Sequence, residues 1–407
     1  PLINTINSNG IIKFYECNFT FSQSDFSFRV LESNNNDAVF ERCRFTRCAS
    51  ESIKVGISGT NPVGTFIFRD NYIINNNGQL ITAEKLRTKP IIENNIIETV
   101  TLNNNYLISI IHNQQEIELL NNTFSEITST GNENTYGGGV GILLQSSSTE
   151  YTIKYTNCKF DNINNEHDTT NNCHGGSIQY GFSNEDNNAN IEIRNCEIKN
   201  NRVKGGHGGG IAIRTTKRIS IYNSIFDSNT ANHEDDMNGN KGFGGAIYIS
   251  TTNSNEDICS ENIIINECTI SNNRAYQGYG IYIQGLPRCS TNIQINNNNI
   301  FINNIGTTTH PQQGSIIASE IININTEELE NNNNFEGETN PNIQHLLEVD
   351  SKGNPLPDPT ETPTESPTET PVQTPVETPT ESPIPSSTPQ RTNYPGTSLD
   401  YINRNIT

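Results

Sequence analysis

A pair of glycines followed by alternating apolar residues returns along this chain at nearly fixed intervals. It reads GGGVGI from 137, GGSIQY from 175, GGGIAI from 208, GGAIYI from 244 and GYGIYI from 278. The first apolar residue after the glycines is Val140, Ile178, Ile211, Ile247 or Ile281, at steps of 38, 33, 36 and 34 residues. QGSIIAS places Ile316 one further step on, 35 residues later. Recurrence at this period marks stacked units, each too small to bury an apolar face alone.

A second pattern sits between the glycine pairs. YTNCKFDNI, IRNCEIKNN, IYNSIFDSN, INECTISNN and INNNNIFINN align on Phe160, Ile198, Phe226, Ile270 and Ile300. An apolar residue stands five before the anchor, Asn or Glu three before, and Asn three after in four of the five: Asn201, Asn229, Asn273 and Asn303. A worn version in the N-terminal half is anchored on Phe19, Phe45, Tyr72 and Phe124.

Between these corners lie short segments of period two. In GGAIYI, Ile247 and Ile249 share one face, and Ala246 and Tyr248 the other. Such segments are too short for helices and too rich in Ile for loops. Asn suits corners, because it tolerates left-handed backbone and bonds neighbouring peptide groups, and stacked asparagines form ladders. The pattern predicts an all-β, right-handed parallel β-helix (a solenoid) of about ten coils over 1–345. At about 4.8 Å per coil it is a rod roughly 50 Å long.

Composition agrees. The chain is 32% hydrophobic and has no Trp, well short of the apolar half of an ordinary domain. It suits a fold that buries a narrow continuous stripe. The net charge of −20 argues against nucleic acid, whose affinity rests on Lys and Arg at phosphates, and against anionic lipid. No apolar run approaches a membrane span; the longest is near YLISII, 106 to 111.

The alternation of GGA plus Ile, Val or Leu with FxxN resembles the repeats of the polymorphic outer membrane protein (Pmp) family of chlamydiae and of similar surface proteins in parasitic protists. FDSN at 226–229 followed by GGAI at 244–247 matches both motifs in full, and IKNN…GGGI and ISNN…GYGI nearly so. The likeness covers roughly 120 to 320. It implies a right-handed β-helix exposed on a cell surface and used in adhesion. In the repeat, Gly208, Gly209, Ile211, Phe226, Asn229, Gly244, Gly245 and Ile247 are structural. Bacterial members end in a membrane β-barrel; this C-terminus resembles the stalk of a eukaryotic surface protein instead.

That C-terminus carries proline at every fourth position from Pro359 to Pro383. Its Thr and Glu have nothing to bury, so 346–391 is expected to be a disordered, extended, polyproline-like stalk with a mucin-like composition suited to O-glycosylation. The segment 392–407 is expected to be disordered as well. With no span after it, the expected location is extracellular or at a cell surface, through an anchor outside this sequence.

Of nine cysteines, Cys17, Cys43, Cys158, Cys196 and Cys268 share one phase, two before the anchor. A buried ladder of free thiols fits them better than disulfides, since parallel side-chain vectors suit the bridge poorly. Cys259 and Cys289, about one coil apart in loops, are the better disulfide pair. No spacing suggests zinc, and no metal or cofactor is expected.

His207, in KGGHGGGIAI, invites comparison with polygalacturonases, β-helices that carry a Gly-His-Gly motif. The resemblance is poor, because their aspartate pair precedes that motif and Asp235 and Asp236 follow it here. His207, Asp235 and Asp236 are thus weak catalytic candidates, and the histidine reads as incidental to the corner. No phosphate-loop pattern accompanies the glycines. The loop NHEDDMNGN offers His233, Glu234, Asp235 and Asp236 as a binding insertion. Tyr248 and Tyr282, aligned across coils and pointing outward, offer a platform for glycans or peptides.

The functional expectation is a non-enzymatic adhesin-like protein that binds host or neighbouring cell-surface glycans or proteins through loops and exposed strand faces. The alternatives are a polysaccharide lyase or glycoside hydrolase on a pectin-lyase-like β-helix, and a structural surface spacer.

Overall fold

A computed structural model describes residues 3–345 except 6–9, 21–30, 34–36, 49–52, 56–64, 87, 104–105, 113–115, 131–138, 141, 147–150, 167–173, 182–188, 216, 233–241, 252–258, 286–290, 307–315, 320–328, 330 and 337–342. The chain divides into Pro1–Leu356 and Pro357–Thr407. The expected stalk, 346–391, and the segment 392–407 lie outside the described residues.

The described chain is a parallel β-helix with three walls. The second wall stacks ten strands from Ile11–Tyr15 to Asn292–Asn296, and the third stacks eleven from Asn18–Thr20 to Asn334–Glu336. The first wall consists of two six-stranded sheets, Ile3–Thr5 to Ile142–Ser146 and Ile178–Tyr180 to Ile343–His345. From the seventh coil onward a short fourth strand follows the third: Arg202–Lys204, Thr230–Asn232, Arg274–Ala275 and Ile305–Gly306. The third wall counts eleven coils.

Period-two alternation sets the walls. Tyr151–Thr156 buries every second residue, as do Glu116–Leu120 and Asn262–Asn266. The inward residues stack like on like. One column runs Phe19, Phe45, Ile73, Ile97, Phe124, Phe160, Ile198, Phe226, Ile270, Phe301, Phe335. Ring centroids of neighbouring phenylalanines lie one strand spacing apart, 4.9 Å for Phe19–Phe45 and 5.1 Å for Phe124–Phe160.

This column corrects several anchors. Ile73, not Tyr72, continues Phe45, and Phe301, not Ile300, continues Ile270. Ile317, not Ile316, pairs with Ile281. Gly139 N donates to Gly175 O as Gly176 N does to Gly208 O, and Val140 N to Ser177 O as Ser177 N does to Gly210 O, so Val140 takes the place of Ser177, one position early. Corners set register, and a corner that gains a residue moves the anchor. At the tenth coil both Asn297 and Asn298 are left-handed, where other coils use one residue.

Two corners repeat up the stack. Between the second and third walls the chain turns through one left-handed residue per coil, among them Asp70, Asn94, Asn121, Asn157 and Asn195, with φ between 52° and 57°. The next residue points inward and forms the column Cys43, Asn71, Asn95, Asn122, Cys158, Cys196, Ser224, Cys268, Asn299. A second turn, through Asn200, Ser228 and Asn272 among others, is followed by the buried Asn201, Asn229, Asn273 and Asn304. The asparagine of FxxN is thus an internal ladder residue. Asn229 Oδ1 accepts from Asn201 N and Nδ2 at 3.1 and 3.0 Å, and Asn229 Nδ2 donates to Ile198 O and Asn273 Oδ1 at 2.8 and 3.0 Å. Every donor and acceptor of that amide is used, so its burial is tolerated.

Candidate functional site

The glycine corner combines two different demands. The first glycine of each pair takes positive φ, 71° at Gly208 and 68° at Gly244, a conformation that side chains resist. The second has no room for a side chain: a Cβ on Gly209 would lie 2.2 Å from Gly245 O and 2.5 Å from the Thr230 backbone. The fourth strand of one coil crosses there against the corner of the same coil. Ile211, Phe226 and Ile247 are fully buried, as the repeat requires.

The residue just before each pair is His174, His207, Phe243 or Gln277. Their backbones stack in register, with Gly175 N donating to His207 O, Gly208 N to Phe243 O and Gly244 N to Gln277 O. The rings stack too: His174–His207 and His207–Phe243 centroids are each 4.9 Å apart. His174 Nδ1 accepts the His207 amide and His207 Nδ1 accepts the Phe243 amide, both at 3.2 Å. Each imidazole therefore stands where a carbonyl would, with its proton on Nε2. Burial, with His207 and Arg214 nearby, holds the His174 pKa well below the ordinary histidine value. His207 is not incidental to the corner; it is a member of its stack.

The same stack corrects the expected tyrosine platform. Tyr248 and Tyr282 do point away from the core, in the column Ala212, Tyr248, Tyr282, Ala318, yet they are 2% and 3% exposed. The corner residues lie over them. His207 and Tyr248 centroids are 4.6 Å apart, and Phe243 and Tyr282 centroids 4.5 Å. Tyr248 also donates to Gln284. The four form a second apolar cluster outside the main core, and no outward tyrosine platform exists at these positions.

His233, Glu234, Asp235 and Asp236 lie outside the described residues. The basic residues after the corner are engaged: Arg214 Nε donates to Ser250 Oγ at 3.4 Å, and Lys217 pairs with Glu261 at 3.0 Å. Among the described residues no group of three or more His, Cys, Asp or Glu side chains is placed to hold a metal ion.

Cys43, Cys158, Cys196 and Cys268 are free and buried. Each occupies a ladder position and substitutes a thiol for the amide. Asn122 Nδ2 donates to Ile92 O at 2.9 Å, and one coil on Cys158 Sγ donates to Leu119 O at 3.2 Å. Burial pushes the Cys268 thiol up to about 12. Cys259 is disulfide-bonded. Cys289, its expected partner, lies outside the described residues.

Two arrays on the outer faces of the coils were not anticipated. On the outer face of the second wall Glu41 pairs with Lys13 at 3.1 Å and Arg69 at 3.3 Å, and Lys89 and Lys154 flank Glu116. Although burial works against it, Lys154 and Lys89 hold the Glu116 carboxyl below its ordinary pKa. At the corner between the second and third walls, exposed amides chain along the axis. Asn94 Nδ2 donates to Asp70, Asn121 to Asn94, Asn157 to Asn121 and Asn195 to Asn157, at 2.9 to 3.1 Å. The sequence signal was present, as Asn three before most of the repeat anchors, but coil-to-coil contacts cannot be read within one repeat.

Comparison with family models, curated proteins and solved structures finds no match to this chain. No helix among the described residues is long and apolar enough to cross a membrane.

Proposed function

We propose that this protein is a non-enzymatic, extracellular or cell-surface adhesin-like protein whose β-helix presents exposed strand faces and loops to glycans or proteins of a host or neighbouring cell. The observation that carries the reading is the commitment of His207. Its ring is sandwiched between His174 and Phe243, and its Nδ1 is taken by a backbone amide. A general base must reach the proton that it abstracts, and this nitrogen is already an acceptor. The mixed-charge outer face of the second wall is a surface of the kind that gives specificity to protein and glycan contacts. The likeness to Pmp-type surface repeats points the same way.

The test sets binding against turnover. Purified protein is applied to cells and a glycan panel, and in parallel incubated with polysaccharides while released reducing or unsaturated ends are followed. Saturable binding without turnover is the expected result. Turnover abolished by His207→Ala or Asp235→Ala would sink the proposal in favour of a polysaccharide lyase or hydrolase.

A further inference from the structure

Asparagine is abundant in this chain, but Asn-x-Ser/Thr, the acceptor tripeptide for N-linked glycans, is scarce. Among the described residues it occurs at Asn18-Phe19-Thr20 and Asn121-Asn122-Thr123. Neither acceptor is one of the buried ladder residues; both Asn18 and Asn121 are exposed. The other left-handed residues in the exposed row have no hydroxyl two residues on: Asn94 is followed by Asn95-Ile96, Asn157 by Cys158-Lys159 and Asn195 by Cys196-Glu197. Chemistry therefore singles out one residue of the row.

The geometry at Asn121 decides whether a glycan fits there. The residue sits at a turn with φ 55°. Its Oδ1 accepts from Asn157 Nδ2 at 2.9 Å on one side, and its Nδ2 donates to Asn94 Oδ1 at 3.0 Å on the other. Oxygen and donated hydrogen point in opposite directions along the stack, so the hydrogen in use is the one anti to the oxygen. The hydrogen syn to the oxygen makes no protein hydrogen bond among the described residues, and the side chain is exposed. A secondary amide formed by replacing that syn hydrogen keeps the anti N–H and the carbonyl oxygen. The ladder can thus carry a substituent on Asn121 without losing either of its bonds.

We propose that Asn121 is an N-glycosylation acceptor, with Asn18 a second one on the outer face of the third wall. The assignment rests on the extracellular reading above. In the transfer, Asn121 Nδ2 forms a bond to the anomeric carbon of a lipid-diphosphate-linked oligosaccharide. The carbon–oxygen bond to diphosphate breaks, the lipid diphosphate leaves with the electron pair, and Nδ2 gives up one proton. The folded coil then holds the glycan at the corner between the second and third walls, where it shields the middle of the exposed amide row.

The full chain, fused behind a signal peptide, is translated into microsomes and secreted from cultured eukaryotic cells. Protease protection establishes translocation, and glycans are removed enzymatically in heavy-oxygen water so that mass spectrometry reads each occupied site as a labelled aspartate. The expected result is label at Asn121 and Asn18, with the Asn121 label lost in Asn121→Gln and Thr123→Ala and kept in Thr123→Ser. Glycosylated and deglycosylated protein should give the same β-rich circular dichroism. A translocated chain bare at Asn121 overturns the assignment, as does a glycosylated chain that has lost its β signal. Because the signal peptide forces translocation, either failure counts against the acceptor and leaves the cell-surface reading to the binding assay.

Discussion

Replacing Asn229 by alanine tests the internal ladder at its best-connected position. The amide oxygen takes two hydrogen bonds from Asn201, and the amide nitrogen gives one to Ile198 O and one to Asn273 Oδ1. Truncation strands the buried Asn201 N–H and one Asn201 Nδ2–H. Asn273 Oδ1 still accepts the Asn229 backbone amide at 2.9 Å. An orphaned buried polar group costs about 1–3 kcal/mol, so two donors with no alternative give roughly 2–6 kcal/mol on that scale, a large share of the ~5–15 kcal/mol that holds a domain folded. The left-handed residue is Ser228, not Asn229, so alanine brings no backbone strain. Asn292→Ala is the control: Asn292 is exposed, its Nδ2 donates to Asn262 Oδ1 at 3.0 Å, and its loss should change stability by no more than ~0.5 kcal/mol, since water replaces the lost partner. Urea titration followed by circular dichroism, with hydrogen exchange at Ile163 and Asn201, reads both. The double variant Asn201→Ala/Asn229→Ala should cost less than the sum of the singles, because Asn201→Ala removes the Nδ2–H that Asn229→Ala strands. Equal, small losses for Asn229→Ala and Asn292→Ala would refute the reasoning.

Three further outcomes follow from the same structure. Gly209→Ala forces a methyl onto backbone atoms of Gly245 and Thr230 and should destabilise by ~3 kcal/mol or more; Gly10→Ala, with open space around its Cβ, should be silent in the same melting assay. An unfolded histidine titrates near 6.5, whereas the folded His174 value is depressed, so the unfolded chain binds more protons and stability falls as pH drops below about 6.5. The melting temperature should track that fall and lose most of its slope in His174→Phe/His207→Phe; an unchanged slope contradicts the imidazole stack. Of the described free thiols, only the half-exposed Cys17 should react with a thiol reagent in the native protein, while Cys43, Cys158, Cys196 and Cys268 should wait for unfolding.

Much of the architecture is legible in the sequence because some positions accept so few residues. The first glycine of a pair must be left-handed and the second must clear a passing backbone, so GG survives at 175, 208 and 244 and sets the phase of the first wall. Phe226 and Asn229 read correctly for a similar reason, one filling the core column and the other completing a buried ladder. Register at Tyr72, Ile300 and Ile316 did not. Adjacent apolar residues, such as Ile300 and Phe301, look interchangeable in one dimension, and an extra corner asparagine has the same chemistry as the regular one. The outer tyrosines failed differently. Alternation gives the face of Tyr248 correctly, but what covers that face comes from the preceding corner, through contacts between neighbouring coils that no single repeat encodes. His207 was misjudged with it, although a ring precedes the glycine pair in three successive coils.

Spin labels along the exposed corner between the second and third walls test the stacked-coil account most directly. Asn94, Asn223 and Glu267 turn the same corner in the fourth, eighth and ninth coils, and Asp70 and Asn297 in the third and tenth. At about 4.8 Å per coil, the pairs Asn94/Asn223, Asn94/Glu267 and Asp70/Asn297 should be separated by about 19, 24 and 34 Å. Distances that rise with coil number, regardless of how many residues each coil contains, are the predicted result. Distances that do not scale with coil number would contradict it.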